Sequence, residues 1–274
     1  MHSTKKVIHS KFDCVCPVEF RIGRGNGLVQ LLDSESVSTG YLIRSDRPTT
    51  LSLVGVDQDG QPEYTFYGAN TADCGIEKQD LPSIDSNISG LHFGSYSLVV
   101  QPVADAFADL VERGGDRFVS LDPNVRPSIE PDMDIWRERV AHYAGCADLL
   151  KISAEDMDCL YPGMDHGSKV DDWLGAGIQL VVITDGGSKV RAWSAKGLHY
   201  STQPPTSDVV DTVGAGDSFQ AALLAQLLHE GEPGTRLAEL DAETLGKLID
   251  FAARAAAVTC SRKGPDLPRI DELN

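Results

Sequence analysis

The carboxylate best placed to do chemistry in this chain is Asp217. It follows Gly214-Ala215-Gly216 and precedes Ser218-Phe219, where a short extended stretch (Val209 to Val213) gives way to an apolar run. Phe219, Leu223 and Leu227 recur every four residues, predicting a helix from Ala215 to His229 with Gly231 just beyond as its stop. A glycine-rich turn entering a helix presents backbone N–H groups without partners inside the helix, and the macrodipole adds about half a positive charge there. That is an anion site, suited to a phosphoryl group in flight. A carboxylate beside such an anion would repel it, unless its task is to accept a proton from an attacking hydroxyl. The same residues also suit a plain helix start, and spacing alone leaves the two readings level. The chain lacks the full G-x-G-x-x-G of a dinucleotide fold, which weakens a nicotinamide-dependent oxidoreductase reading.

The elements that must position this turn are legible from Thr49 onward. Thr49–Val56 and Glu63–Tyr67 read as two strands, joined through Asp57–Pro62 with its Asp-Gly turn chemistry. A strand at Gly90–Phe93 and a helix at Val103–Glu112, stopped by Gly114-Gly115, come next. Strands at Arg117–Leu121, Asp148–Ile152 and Gln179–Thr184 then alternate with helices at Met133–Tyr143, Glu155–Leu160 and Val170–Leu174. Lys189–Ser194 and Leu198–Thr202 read as a hairpin, and a long helix at Ala242–Cys260 closes the chain. Short apolar strands alternating with helices predict an α/β fold, its mainly parallel sheet covered on both faces. Residues 1–33 are irregular apart from a short helix near Leu28–Asp33.

Bulk properties narrow the function classes. The 274 residues suit one large α/β domain, with 41% hydrophobic and 24% charged residues as in ordinary globular proteins. No run approaches the ~20 apolar residues of a membrane span, and Met1–Ser10 lacks the apolar core of a secretory signal. A cytoplasmic protein without membrane partners is expected. A net charge of −17 disfavours nucleic acid as a partner. The six cysteines (14, 16, 74, 146, 159 and 260) show no metal-binding spacing and read as buried free thiols.

Asp211-Thr-Val-Gly-Ala-Gly-Asp217-Ser-Phe219 resembles the C-terminal signature of the PfkB, or ribokinase-like, carbohydrate kinases without a mismatch. The resemblance implies a three-layer αβα sandwich with a small β lid, here about residues 49–67. It implies Asp217 as catalytic base, the amides of Gly214, Ala215 and Gly216 as anion hole, and Asp211 near the sugar and a monovalent-cation site. Asp122-Pro-Asn-Val-Arg126 is similar to the D-x-N-x-R of fructokinase-type members, implying Asn124 and Arg126 as substrate-binding residues near the phosphates; Asp122 and Asn124 also serve as turn formers around Pro123. Thr184-Asp-Gly-Gly187 and Ser261-Arg-Lys-Gly264 resemble nucleotide loops, which puts Thr184, Gly186 and Gly264 at the nucleotide. Phe251–Ala257 looks like the helix beside the base, although Ala253 stands where Asn is common. Lys151-Ile-Ser-Ala-Glu-Asp156 occupies the place of the N-x-x-E magnesium motif, with Ser153 for Asn and Asp156 for Glu. Asp156 thereby becomes the magnesium candidate, and Ser153 serves equally as a helix N-cap. The implied activity is ATP-dependent phosphorylation of a small sugar, fructokinase-like, with Mg²⁺ and K⁺ as ions and a homodimer formed through the lid.

The resemblance covers residues 34–274. Ser36–Arg44 looks like the segment that follows the family's N-terminal sugar-binding portion, and residues 1–33 are too short to supply that portion. The expectation is a shortened reading of a longer gene, testable by sequencing upstream of Met1. The rival expectation is a catalytically impaired protein that only binds nucleotide or a partner.

Overall fold

The computed structural model describes residues 17–19, 24–56, 62–68, 70–84, 88–205, 208–229 and 231–273. The chain divides into two compact units. The first comprises Met1–Ile88, Tyr96–Gly115 and Arg126–Trp136. Its strands β1 (Pro17–Glu19) and β2 (Ile43–Ser45) pair in parallel, with helix α1 (Arg24–Ser34) between them in sequence. That helix begins four residues before Leu28, the start read from its apolar residues. Strands β3 (Leu51–Val56) and β4 (Pro62–Tyr67) form the expected antiparallel hairpin, Leu51 opposite Tyr67 and Val56 opposite Pro62. The turn residues Asp57–Gln61 lie outside the described residues, as do Cys14 and Cys16.

Just past the hairpin, Asp73 accepts hydrogen bonds from Thr50 Oγ1 and Tyr96 Oη, each at 2.5 Å. Burial pushes the Asp73 carboxyl up, but hydrogen bonds from Thr50, Tyr96 and Thr71 outweigh it and hold the group below its ordinary value. Helix α2 (Val103–Arg113) buries Val103 and Ala106 against Ile76. It ends at Gly114, with Gly115 at φ +60°, a conformation open to glycine at no steric expense.

The second unit comprises Ser89–Ser95, Asp116–Val125 and Arg137–Asn274. Its sheet contains β5 (Gly90–Gly94), β6 (Phe118–Asp122), β7 (Leu149–Ser153), β8 (Leu180–Asp185), β9 (Lys189–Ser194) and β10 (His199–Thr202) in the spatial order β10-β9-β8-β7-β6-β5. Strands β5 to β8 run parallel; β9 and β10 return antiparallel as the predicted hairpin. Both faces are covered, which is why these strands are apolar at consecutive positions rather than at alternate ones. Leu180 and Val182 pack with Phe219, Leu223 and Leu227 of α6 (Ala215–His229) and with Leu245, Ile249 and Ala252 of α8 (Ala242–Cys260). Val181 and Ile183 are equally buried on the opposite face, where α4 (Ala154–Leu160) and α5 (His166–Gly175) contact β8. Each such Leu or Phe is worth roughly 1.5–3 kcal/mol.

Helix α3 (Met133–Ala144) precedes β7, and α7 (Pro233–Glu239), absent from the sequence reading, joins α6 to α8. No helix among the described residues is long and apolar enough to cross a membrane. Of the four described cysteines only Cys74 is buried; Cys146 is exposed, and Cys159 and Cys260 are half-buried. The expectation of buried thiols is corrected accordingly: Cys146 follows the last turn of α3 on the surface, and Cys159 and Cys260 lie near helix C-termini.

Candidate active site

The second unit's parallel strands bring polar residues to their C-terminal ends, where open α/β sheets bind ligands. Register puts Gly94 opposite Asp122 and Ser153 opposite Thr184. A Cβ on Gly94 would stand 2.3 Å from the Asp122 carbonyl oxygen, so the close approach of β5 to β6 requires glycine there. Lys151 Nζ lies 2.8 Å from Asp122 Oδ2, both side chains buried. Asp122 Oδ1 is buried with no hydrogen-bond partner among the described residues. Lys151 also reaches the glycine-rich turn: a Cβ built on Gly216 would sit 3.1 Å from its Nζ.

The turn and the start of α6 are held from below. Ser218 N donates to Gly214 O at 2.8 Å, beginning the helix, and Gly214 has φ +80° with Pro265 packed against it. Ser218 Oγ and Thr259 Oγ1 are 2.6 Å apart, joining α6 to the end of α8. Thr259 Oγ1 donates to Ala255 O, which leaves the Ser218 hydroxyl to donate to Thr259. The N–H groups of Val210 and Asp211 donate to Cys260 O at 2.8 and 3.2 Å.

The Ala215 N–H donates to Thr212 O at 3.2 Å. Among the described residues the amides of Gly214, Gly216 and Asp217 have no backbone acceptor outside the helix. The Asp217 side chain is exposed in the first helical turn, where the dipole favours a carboxylate.

Gly214→Ala would force a side chain into the left-handed region and onto Pro265 Cβ at 3.0 Å. The expected loss is about 1–2 kcal/mol of stability, read from urea unfolding, together with a displaced turn.

Asp211 spans two loops. Oδ1 accepts from Val213 N at 3.0 Å and Oδ2 from Gly264 N at 2.9 Å, and these bonds hold its carboxyl below the ordinary range. Gly264 (φ +71°) is thus tied to Asp211 and does not line the pocket that receives Thr184 and Gly186.

That pocket holds about 380 Å³, within the range of small-ligand sites. Thr184, Gly186 and Gly187 form one side, Pro204, Pro205 and Val209 another, and Ala253, Ala256 and Ala257 of α8 the back. Thr212, Ala215, Gly216 and Phe219 line it as well, so the cavity opens onto the turn that carries Asp217.

Ser153 is an N-cap: its Oγ accepts from Asp156 N at 2.9 Å. Buried Asp156 accepts from Val125 N at 3.0 Å and so fixes the loop after β6. Asn124 in that loop has φ +44°, a conformation Asn tolerates better than most residues, which gives its identity a backbone reason. Arg126 falls in the first unit, where its carbonyl accepts from Ile129 N and Glu130 N. Among the described residues no three His, Cys, Asp or Glu side chains cluster as a metal cage.

Three further residues, His92, Ser120 and Gln220, join at the middle of β5 and β6 without having been singled out from sequence. Gln220 Nε2 donates to Ser120 Oγ at 2.6 Å, and Ser120 Oγ is hydrogen-bonded to His92 Nδ1 at 3.2 Å. Register could have found the second pair, since His92 stands directly opposite Ser120.

A family profile described as "pfkB family carbohydrate kinase" matches residues 21–272. The chain belongs to that family. PfkB kinases are phosphotransferases with a sugar hydroxyl as acceptor, and the ribokinase-like fold expected from the signature is the fold observed. The match begins at residue 21, inside the segment set apart as atypical. A fructokinase of Rhizobium leguminosarum bv. trifolii is 34% identical over 223 residues, covering 81% of this chain and 68% of the relative. Probable fructokinase-4 of Arabidopsis thaliana is 29% identical over 261 residues, covering 91% and 77%. Among solved structures, fructokinase with bound ATP from Xylella fastidiosa superposes with a TM-score of 0.85 at 22% identity, covering 94% of this chain and 82% of that one. Fructokinase from Vibrio cholerae with fructose, ADP and calcium gives 0.80 at 24% identity, covering 96% and 84%.

Proposed function

We propose that this pfkB kinase is ATP-dependent and of fructokinase type, moving the γ-phosphoryl group to a hydroxyl of a small sugar. The observation that carries the reading is the junction at the start of α6. The turn that leaves Gly214, Gly216 and Asp217 amides open also walls the apolar pocket. A nucleotide with its base among Pro204, Val209, Ala253 and Ala257 lays its phosphates toward that turn. The acceptor oxygen attacks the γ-phosphorus, the bond from phosphorus to the ADP oxygen breaks, and Asp217 takes the hydroxyl proton. The open amides hold charge on the transferring group, and Lys151 adds a cation beside Gly216.

Asp156 suits Mg²⁺ as a single buried carboxylate, since this ion is held by one or two carboxylates with phosphate oxygens and water completing its shell. When bound, it neutralises phosphate charge. Asp211, Asn124 and Arg126 are our acceptor-side candidates, Thr184, Gly186 and Gly264 those for the nucleotide, and the Asp211–Gly264 connection is the place for K⁺. On this reading the enzyme works in the cytoplasm, as a homodimer through the β3–β4 hairpin, whose paired ends expose Leu51 and Tyr67. The relatives named above as fructokinases support the choice of a ketohexose.

The test is ADP release over a panel of hexoses, pentoses and nucleosides. One sugar raising release well above background supports the reading. Tight ATP binding with no response to any acceptor would overturn it and leave a nucleotide-binding protein.

A further inference from the structure

A polar chain runs from α6 to the middle of β6 and β5. Gln220 lies three residues after Asp217, on the same side of the helix. Its Nε2 donates to Ser120 Oγ, and Ser120 meets His92 Nδ1. Gln220 and Ser120 are buried, whereas His92 is exposed as a residue. Two polar side chains inside a packed sheet layer are energetically costly, and Gln220 Oε1 has no hydrogen-bond partner among the described residues.

His92 interacts electrostatically with Asp122, Lys151 and Asp217, the charged groups that surround the proposed phosphoryl-transfer point. With Nδ1 engaged by Ser120, Nε2 is the ring atom left for a ligand, and it has no hydrogen-bond partner among the described residues. A sugar hydroxyl fits this atom in either tautomer, because a hydroxyl both donates and accepts.

Resting on the kinase reading above, we propose that His92 binds the acceptor sugar through a hydroxyl neighbouring the one phosphorylated, with Ser120 and Gln220 as positioning residues that hold the ring. Burial among protein atoms lowers the imidazole's affinity for a proton, Asp122 opposing this.

Steady-state kinetics of the full chain test this. His92→Ala is expected to raise the acceptor KM about tenfold with the ATP KM within about twofold. His92→Gln, which keeps a polar tip, recovers part of the loss. Ser120→Ala and Gln220→Leu raise the acceptor KM about threefold through a less fixed ring. Deoxy acceptors lacking one hydroxyl provide the decisive comparison: one of them loses affinity with the wild type and loses no more with His92→Ala. An unchanged acceptor KM in His92→Ala, or equal rises for acceptor and ATP, would overturn the assignment while leaving the kinase reading intact. Absence of sugar-dependent turnover in the wild type would sink both.

Discussion

Asp217→Asn is expected to slow sugar-dependent ADP release by about 10²–10⁴-fold, the usual range for removing a general base. Binding is expected to move the other way. The carboxylate is exposed beside amides that would hold phosphate, so its negative charge opposes ATP in the ground state. Asn keeps the shape and removes the charge, and the variant should bind ATP as tightly as the wild type or more so. Stability should fall by no more than about 0.3–1 kcal/mol, the worth of a carboxylate at an exposed helix N-terminus. Calorimetric titration with ATP and single-turnover rates separate the two effects. A variant that keeps wild-type turnover would show that proton removal happens elsewhere.

Lys151→Met should have the largest effect on stability. The Lys151–Asp122 pair is almost sealed, with side-chain exposures of 6% and 7%, and Asp122 Oδ1 has no hydrogen-bond partner among the described residues. Removing the ammonium leaves a buried carboxylate without compensation, an expected loss of about 3–5 kcal/mol. The double variant Asp122→Leu with Lys151→Met restores an apolar match, so most of that stability should return. Phosphoryl transfer should not return with it, because the cation next to Gly216 is still missing. Urea midpoints and turnover rates measured on the wild type and the two variants check this. Recovery of both together would reduce the pair to a structural role.

How far these features were readable from sequence varies with their range along the chain. Helices α6 and α8 were read with the observed limits, because Phe219, Leu223 and Leu227 mark a stripe and Asp241 caps the second helix. Helix α5 begins four residues before the Val170 at which it was read. The signal was local and overlooked: Asp165 accepts from Ser168 N three residues on. Helix α7 was hidden by its brevity and by Gly234, although Pro233 at its first position is a fair start signal. The hydrogen bonding of the turn itself is not legible in the same way. Which N–H remains open depends on how the turn closes, and the Ala215-to-Thr212 bond is a three-dimensional result that residue types do not encode. Gln220 and Ser120 are a hundred residues apart in sequence, joined only because α6 packs on β6. The family signature points to Asp217 directly, but not to Lys151, whose Nζ lies close to Gly216 in the same turn.

The last turn of α8 has a consequence for heat inactivation. Cys260 O and Thr259 Oγ1 moor the turn before α6 to one helix end, and the N–H of Gly264 in the loop beyond holds it through Asp211. Helix ends open at far lower free energy than a whole domain unfolds. Fraying of Val258–Cys260 would cast off several of these moorings together, with the sheet and most of α6 still folded. Catalytic power should therefore fade on warming some degrees before circular dichroism registers any change, and a bound nucleotide, whose pocket includes Cys260, should close that gap.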